Sequence, residues 1–248
     1  MRKFAILLFV FIFAASAQAQ KEQSTKDKEK TTAKVETNGT EPLELAKKAL
    51  VALGGDKFKN VKSLFLKGTS EISASPTQTL PAGFVIMYEG EKYSFDLQAP
   101  PMFNFKQVYD GQETFSSMRG LSLPPLNRLG FPLLIKAEEK GYTVTALPEK
   151  FKKKRGFRVT SPEGYYTDFI VDEKTNLVKE YEASYDFNGN QVTTSVAIDG
   201  YKEINGVFIN EKFSQRLEVG NLSYYSNFKA KEILVDTKLP ENAFTLSK

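Results

Sequence analysis

The chain contains no histidine, no cysteine and no tryptophan. Without cysteine it forms no disulfide, carries no thiolate nucleophile and offers no thiol for acylation. Without histidine as well, His-based triads and the usual zinc and haem ligand sets are excluded, so an enzyme would have to work with Ser, Lys, Tyr, Asp and Glu. No Gly-x-Ser-x-Gly elbow or phosphate-binding glycine loop is present either. Neighbouring acids such as Glu138-Glu139 and Asp172-Glu173 would point to opposite faces of a strand and cannot share a site. The expectation is a protein that is not an enzyme and needs no cofactor. An excess of one charge is equally lacking, with 34 Lys and Arg against 30 Asp and Glu, which argues against nucleic acid as a partner.

Long hydrophobic runs are scarce too. The one at the start, Phe4 to Ala15, is about a dozen residues, short of the roughly 20 that span a bilayer. Arg2 and Lys3 precede it and Ala17-Gln18-Ala19 follows, the order of a cleavable signal peptide over residues 1–19. The expected location is therefore outside the cytoplasm. Residues 20–41 hold too few apolar side chains to offset chain entropy and read as a disordered tether. Residues 42–248 suit a single β-rich domain.

What is present is organised by two periods. After Thr40 and Pro42, Leu43, Ala46, Leu50 and Leu53 fall at helical spacing until Gly54-Gly55, which predicts one amphipathic helix laid on a sheet. Beyond it the period is two, and turn chemistry sets the register. A turn at Asn188-Gly189 pairs Tyr185 with Val192 and Tyr181 with Val196. Asn205-Gly206 pairs Ile204 with Val207 and Ile198 with Phe213. Gly220-Asn221 pairs Val219 with Leu222 and Phe213 with Phe228. The three turns agree on one apolar face and predict a four-stranded meander over about 177–235, with Asp199-Gly200 as a bulge. Glu89-Gly90 as a turn aligns Ile86 with Tyr93 and Phe84 with Phe95, and Asp110-Gly111 is a further turn between Val108 and Phe115. Strands near 63–72, 142–146, 155–160 and 165–171 bring the total to roughly ten. The fold class is mainly β with α, a strongly curved antiparallel sheet or half-closed barrel with an N-terminal helix. Met118 to Lys136 breaks the alternation with Pro124, Pro125, Gly130 and Pro132 among its leucines. It is either a lid over a cavity or a plug in the core.

These pieces resemble the LolA-like periplasmic lipoprotein carriers, or outer-membrane lipoprotein-sorting proteins. The resemblance rests on Ala49-Leu50 through Leu53-Gly54-Gly55, Val61-Lys62-Ser63-Leu64, Gly68, Tyr109-Asp110-Gly111, Val171-Asp172 through Thr175-Asn176-Leu177, Gly206 to Asn210, and Leu239-Pro240 through Ala243-Phe244. It implies a half-closed barrel whose apolar interior carries lipoprotein or lipid acyl chains towards the outer membrane, between membrane-bound donor and acceptor proteins. Such a site needs apolar area and no catalytic group, at about 0.8 kcal/mol per buried methylene.

The residues expected to line that interior are Phe84, Ile86, Tyr93, Phe95, Tyr181 and Tyr185, with Leu126, Leu129 and Phe131 gating it. The competing expectation is an envelope sensor or interaction module with a filled core, which binds a membrane-anchored partner. Glu149 to Arg155, five basic residues in seven, is either a docking patch for an acidic partner or lipid headgroups, or a solvated loop. Asp186 to Asn190 imitates the start of a calcium loop, but Gln191 and Ala197 occupy its sixth and twelfth positions, and it reads as a hairpin turn with no metal.

Overall fold

The helix α1 begins at Thr40 and ends at Leu53, as its spacing predicts, and buries Ala46, Ala49, Leu50 and Leu53 on one side. It stops because Gly54 and Gly55 take positive φ, which frees the Gly55 N–H to donate to the Leu50 carbonyl at 2.9 Å. A short helix α2, Asp56–Lys59, follows. The structure, a computed structural model, describes residues 40–75, 78–117, 126–187, 190–220 and 222–246. The expected signal peptide and the tether up to residue 39 lie outside the described residues, as does Met118–Pro125. Among the described residues no helix is long and apolar enough to cross a membrane.

Twelve strands are described where roughly ten are expected. They are β1 (Ser63–Ser75), β2 (Gln78–Glu89), β3 (Lys92–Ala99), β4 (Phe103–Tyr109), β5 (Thr114–Ser116), β6 (Thr143–Ala146), β7 (Gly156–Thr160), β8 (Tyr166–Val171), β9 (Val178–Phe187), β10 (Asn190–Ile204), β11 (Val207–Val219) and β12 (Leu222–Val235). A third helix, α3, covers Phe131–Ile135. The strands form one antiparallel sheet in the order β5-β4-β3-β2-β1-β12-β11-β10-β9-β8-β7-β6, curved and not closed. The first and last strands, β1 and β12, therefore pair in its middle and divide it into two wings.

The predicted meander is found in register. Tyr185 pairs with Val192, Tyr181 with Val196, Ile198 with Phe213, Val219 with Leu222 and Phe213 with Phe228, and the ladder shifts at Gly200 as expected of a bulge. Val108 pairs with Phe115 across the Asp110-Gly111 loop. The Glu89-Gly90 register is corrected: Tyr88 pairs with Tyr93, Ile86 with Phe95 and Phe84 with Leu97. The turn is Gly90-Glu91, because Gly90 at φ 58° takes the first central position that a type II′ turn reserves for glycine. The correction moves the ladder by two residues, so every side chain keeps its predicted face.

The core lies on the concave face. Phe84, Phe95, Phe105, Phe213 and Phe228 from the sheet meet Leu50 and Leu53 of α1 and Leu133 and Leu134 of α3 in one cluster. A smaller cluster lies on the opposite face, where Leu239 and Ala243 of the C-terminal segment cover Met87 and Phe244 adds its ring. The Lys106 ammonium secures that segment by donating to the Thr245 carbonyl at 2.8 Å.

Candidate ligand-binding interior

Residues 127–137 span the space between the wings. On one side Glu91, in the β2–β3 turn, accepts from Lys136 Nζ at 2.6 Å and from Asn127 Nδ2 at 3.3 Å. On the other, the Gly130 N–H donates to the buried Thr167 hydroxyl at 3.0 Å. Gly130 has φ 61°, and a Cβ there would stand 3.1 Å from the Tyr181 ring, so only glycine lets β9 come this close. Phe131 then meets Phe58 and Tyr181 edge-on, with centroids 5.9 and 5.8 Å apart. Leu133 and Leu134 are buried in the main cluster. The described part of the proline-broken segment is thus built into the core as a plug. Of the residues expected to gate the interior, Leu129 is buried, and Phe131 is half-buried and packed against the main cluster. The side chain of Leu126 lies outside the described residues.

The six lining residues expected from the sequence share the concave face. Phe84 and Phe95 are buried in the main cluster, with Ile86 and Tyr181 packed against it. Tyr93 is fully buried, its hydroxyl accepting from Gln107 Nε2 at 2.5 Å and its ring stacked on Tyr109 at 6.1 Å. Tyr185 stays half-buried on β9. Sequence reasoning missed Tyr88 and Tyr201. Tyr88 escaped through the two-residue register error, since the corrected ladder sets it beside Tyr93.

The tyrosines show how the sheet curls. Burial pushes the Tyr88 phenol far above its ordinary value, and Tyr181 and Tyr93 add to the effect. Tyr88 is on β2 and Tyr181 on β9, with four strands between them in the sheet order, so only curvature brings them within each other's influence. Burial likewise raises Tyr185, with Tyr93 adding, and raises Tyr181 alone and Tyr201 with help from Tyr181. All four keep some surface open to water. The Tyr201 hydroxyl donates to the Val178 carbonyl at 2.7 Å. The hydroxyls of Tyr88, Tyr181 and Tyr185 have no hydrogen-bond partner among the described residues.

This predicts an alkaline signature. A phenol whose folded pKa is raised stabilises the fold fully below its unfolded value of about 10, and that contribution is lost as pH rises through the folded value. Followed by phenolate absorbance, Tyr88, Tyr181, Tyr185 and Tyr201 should ionise only together with cooperative unfolding at high pH. Their reversible titration without unfolding would contradict this burial.

Three of the five cations in the basic loop are paired: Lys150 with Glu182, Lys154 with Glu180 at 2.5 Å and Lys152 with Glu149 at 2.8 Å, while Arg155 donates to the neutral Asn176 Oδ1 at 2.7 Å. Among the described residues no group of three or more acids is placed to hold a metal ion.

No protein-family model and no curated protein matches the chain. Solved structures do resemble it. A LolA superfamily protein from Nitrosomonas europaea is 13% identical with a TM-score of 0.49, over 80% of this chain and 97% of its own. A DUF1329 family protein from Desulfovibrio piger is 11% identical with a TM-score of 0.48, over 82% and 97%. A Vibrio parahaemolyticus domain described as an outer membrane lipoprotein-sorting protein is 11% identical with a TM-score of 0.46, over 82% and 96%. These likenesses concern the fold alone.

Proposed function

We propose that the chain is a non-enzymatic periplasmic carrier whose concave interior takes lipoprotein or lipid acyl chains and passes them from a membrane-bound donor to an acceptor. What supports this reading is the set of half-buried tyrosines on the apolar concave face, Tyr88, Tyr181 and Tyr185, raised by burial and with hydroxyls that have no partner among the described residues. Burying eight methylenes there would contribute about 6 kcal/mol gross, before ordering costs. That is enough for reversible carriage.

The test is mass spectrometry of organic extracts from the native protein, together with uptake of a fluorescent fatty acid. Bound acyl species and saturable uptake are expected. Tyr185→Arg, which places a charge at a half-buried position, should bind about tenfold more weakly or worse. Tyr181→Phe should keep uptake. A clean extract with no uptake sinks the reading. The packing of Leu133 and Leu134 into the core favours a second reading, an envelope sensor with a filled interior. That version predicts no uptake, and a membrane-anchored partner recovered by crosslinking.

A further inference from the structure

Beside the Glu91 bridge lies a cleft of about 150 Å³. A single water needs only about 10–15 Å³, so this is room for a group of several atoms. Its walls carry two cations, Arg128 and Lys136, and two carboxylates, Glu91 and Glu163. Pro132 and Leu133 add apolar surface, and Leu133 also belongs to the main core cluster.

The charges divide into a closed pair and a looser one, in which the Ser161 hydroxyl, with Arg128 and Lys136, holds the Glu163 carboxyl below the usual carboxylate range. Both Glu91 oxygens are engaged, one by Lys136 and one by Asn127. Arg128 lies over the Tyr165 ring at 5.4 Å and, among the described residues, forms no ion pair with Glu163 or any other acid. Asn127 is only 7% exposed, and its Oδ1 has no partner. A buried acceptor left unsatisfied costs about 1–3 kcal/mol, which a donor from a ligand would recover. The cleft therefore offers a guanidinium for an oxyanion and, apart from it, a carboxylate and a buried amide oxygen for an ammonium. Arg128 and Glu163 do not close on each other, so a ligand satisfying both has its charges separated by a spacer. An α-amino acid, with both charges on one carbon, fits this less well.

We propose that this cleft binds a phosphoethanolamine group, with its phosphate on Arg128 and its ammonium on Glu163 and Asn127 Oδ1. The assignment rests on the cleft's own chemistry and holds whether or not the interior carries acyl chains. Both a free phosphoethanolamine and the headgroup of a phospholipid present it.

Calorimetric titration of the full mature chain with O-phosphoethanolamine tests this, with inorganic phosphate, ethanolamine and glycine as comparisons. Arg128→Ala and Glu163→Gln alter exposed side chains, so both variants should fold. Binding of O-phosphoethanolamine is expected, at least tenfold weaker in each variant and at least tenfold tighter than any of the three comparisons. Tighter binding of a short-chain phosphatidylethanolamine supports the site with a lipid source, and equal binding supports it with a soluble one. Equal affinity for phosphate or glycine, indifference to both variants, or no binding at millimolar concentration overturns it. Fatty-acid uptake measured on the same variants should be unchanged, so the cleft and the carrier reading can fail separately.

Discussion

Replacing Arg158 with alanine is expected to lower the free energy of unfolding by about 3–5 kcal/mol, read from the shift of a urea denaturation curve. Arg158 holds Asp168 with two parallel bonds, Nε to Oδ1 at 2.7 Å and Nη2 to Oδ2 at 2.8 Å, and lies over the Tyr166 ring at 4.0 Å. The Asp168 side chain is 0% exposed, so removing its partner leaves a charge that water cannot reach. Replacing both residues, as Arg158→Met with Asp168→Leu, should recover most of the loss, because a buried pair and a buried hydrophobic pair are often close in stability. The nearby pairs Lys150 with Glu182 and Lys154 with Glu180 have largely exposed lysines, and removing either lysine should cost only about 0–1 kcal/mol. A loss below 1 kcal/mol for Arg158→Ala would show that Asp168 is hydrated after all.

The second large effect is expected at Gly68. It lies in β1, opposite Phe84 of β2 and Ala230 of β12, at a shift in the ladder. A Cβ there would fall onto the Lys229 carbonyl oxygen and within 2.8 Å of the Ala230 Cα. Both obstacles are backbone and cannot rotate away. The bare glycine also lets Phe84 and Phe228, from the strands on either side, meet edge-on at 5.2 Å. Gly68→Ala should cost about 3 kcal/mol or more, the upper end of overpacking. Gly220 provides the control, since it has φ 57° and open space around it, and its alanine variant should cost only the strain of that conformation, about 1–2 kcal/mol. Equal thermal shifts in the two variants would refute the steric argument.

The legible part of the fold was that decided by residues close in sequence. Asn205-Gly206 and Gly220 imposed registers that carried correctly through the irregularity at Gly200, because a two-residue turn aligns its strands from the first pair outward. Where the turn is one position off, at Glu89-Gly90, the face survives, so Phe84, Ile86, Tyr93 and Phe95 stand on one side of the sheet. The pairing of β1 with β12 had no local sign: some 150 residues separate the two strands, and neither carries a turn naming the other. The same holds for Glu91. A turn residue gave no hint that Asn127 and Lys136 would converge on it.

Alternation, turn residues and helical spacing by themselves determined that this chain makes a helix and a meandering antiparallel sheet with one apolar face, since each acts over a few residues. Absent histidine and cysteine likewise narrowed the chemistry before any folding was considered. Only the tertiary structure decided that the sheet curls until Tyr88 and Tyr181 influence each other, that the proline-broken segment enters the core as a plug at Leu133 and Leu134, and that Lys150 and Lys154 of the basic loop meet Glu182 and Glu180. Those outcomes depend on which distant surfaces meet. That is set by strand twist and by the burial of one continuous core, not by any short run of residues.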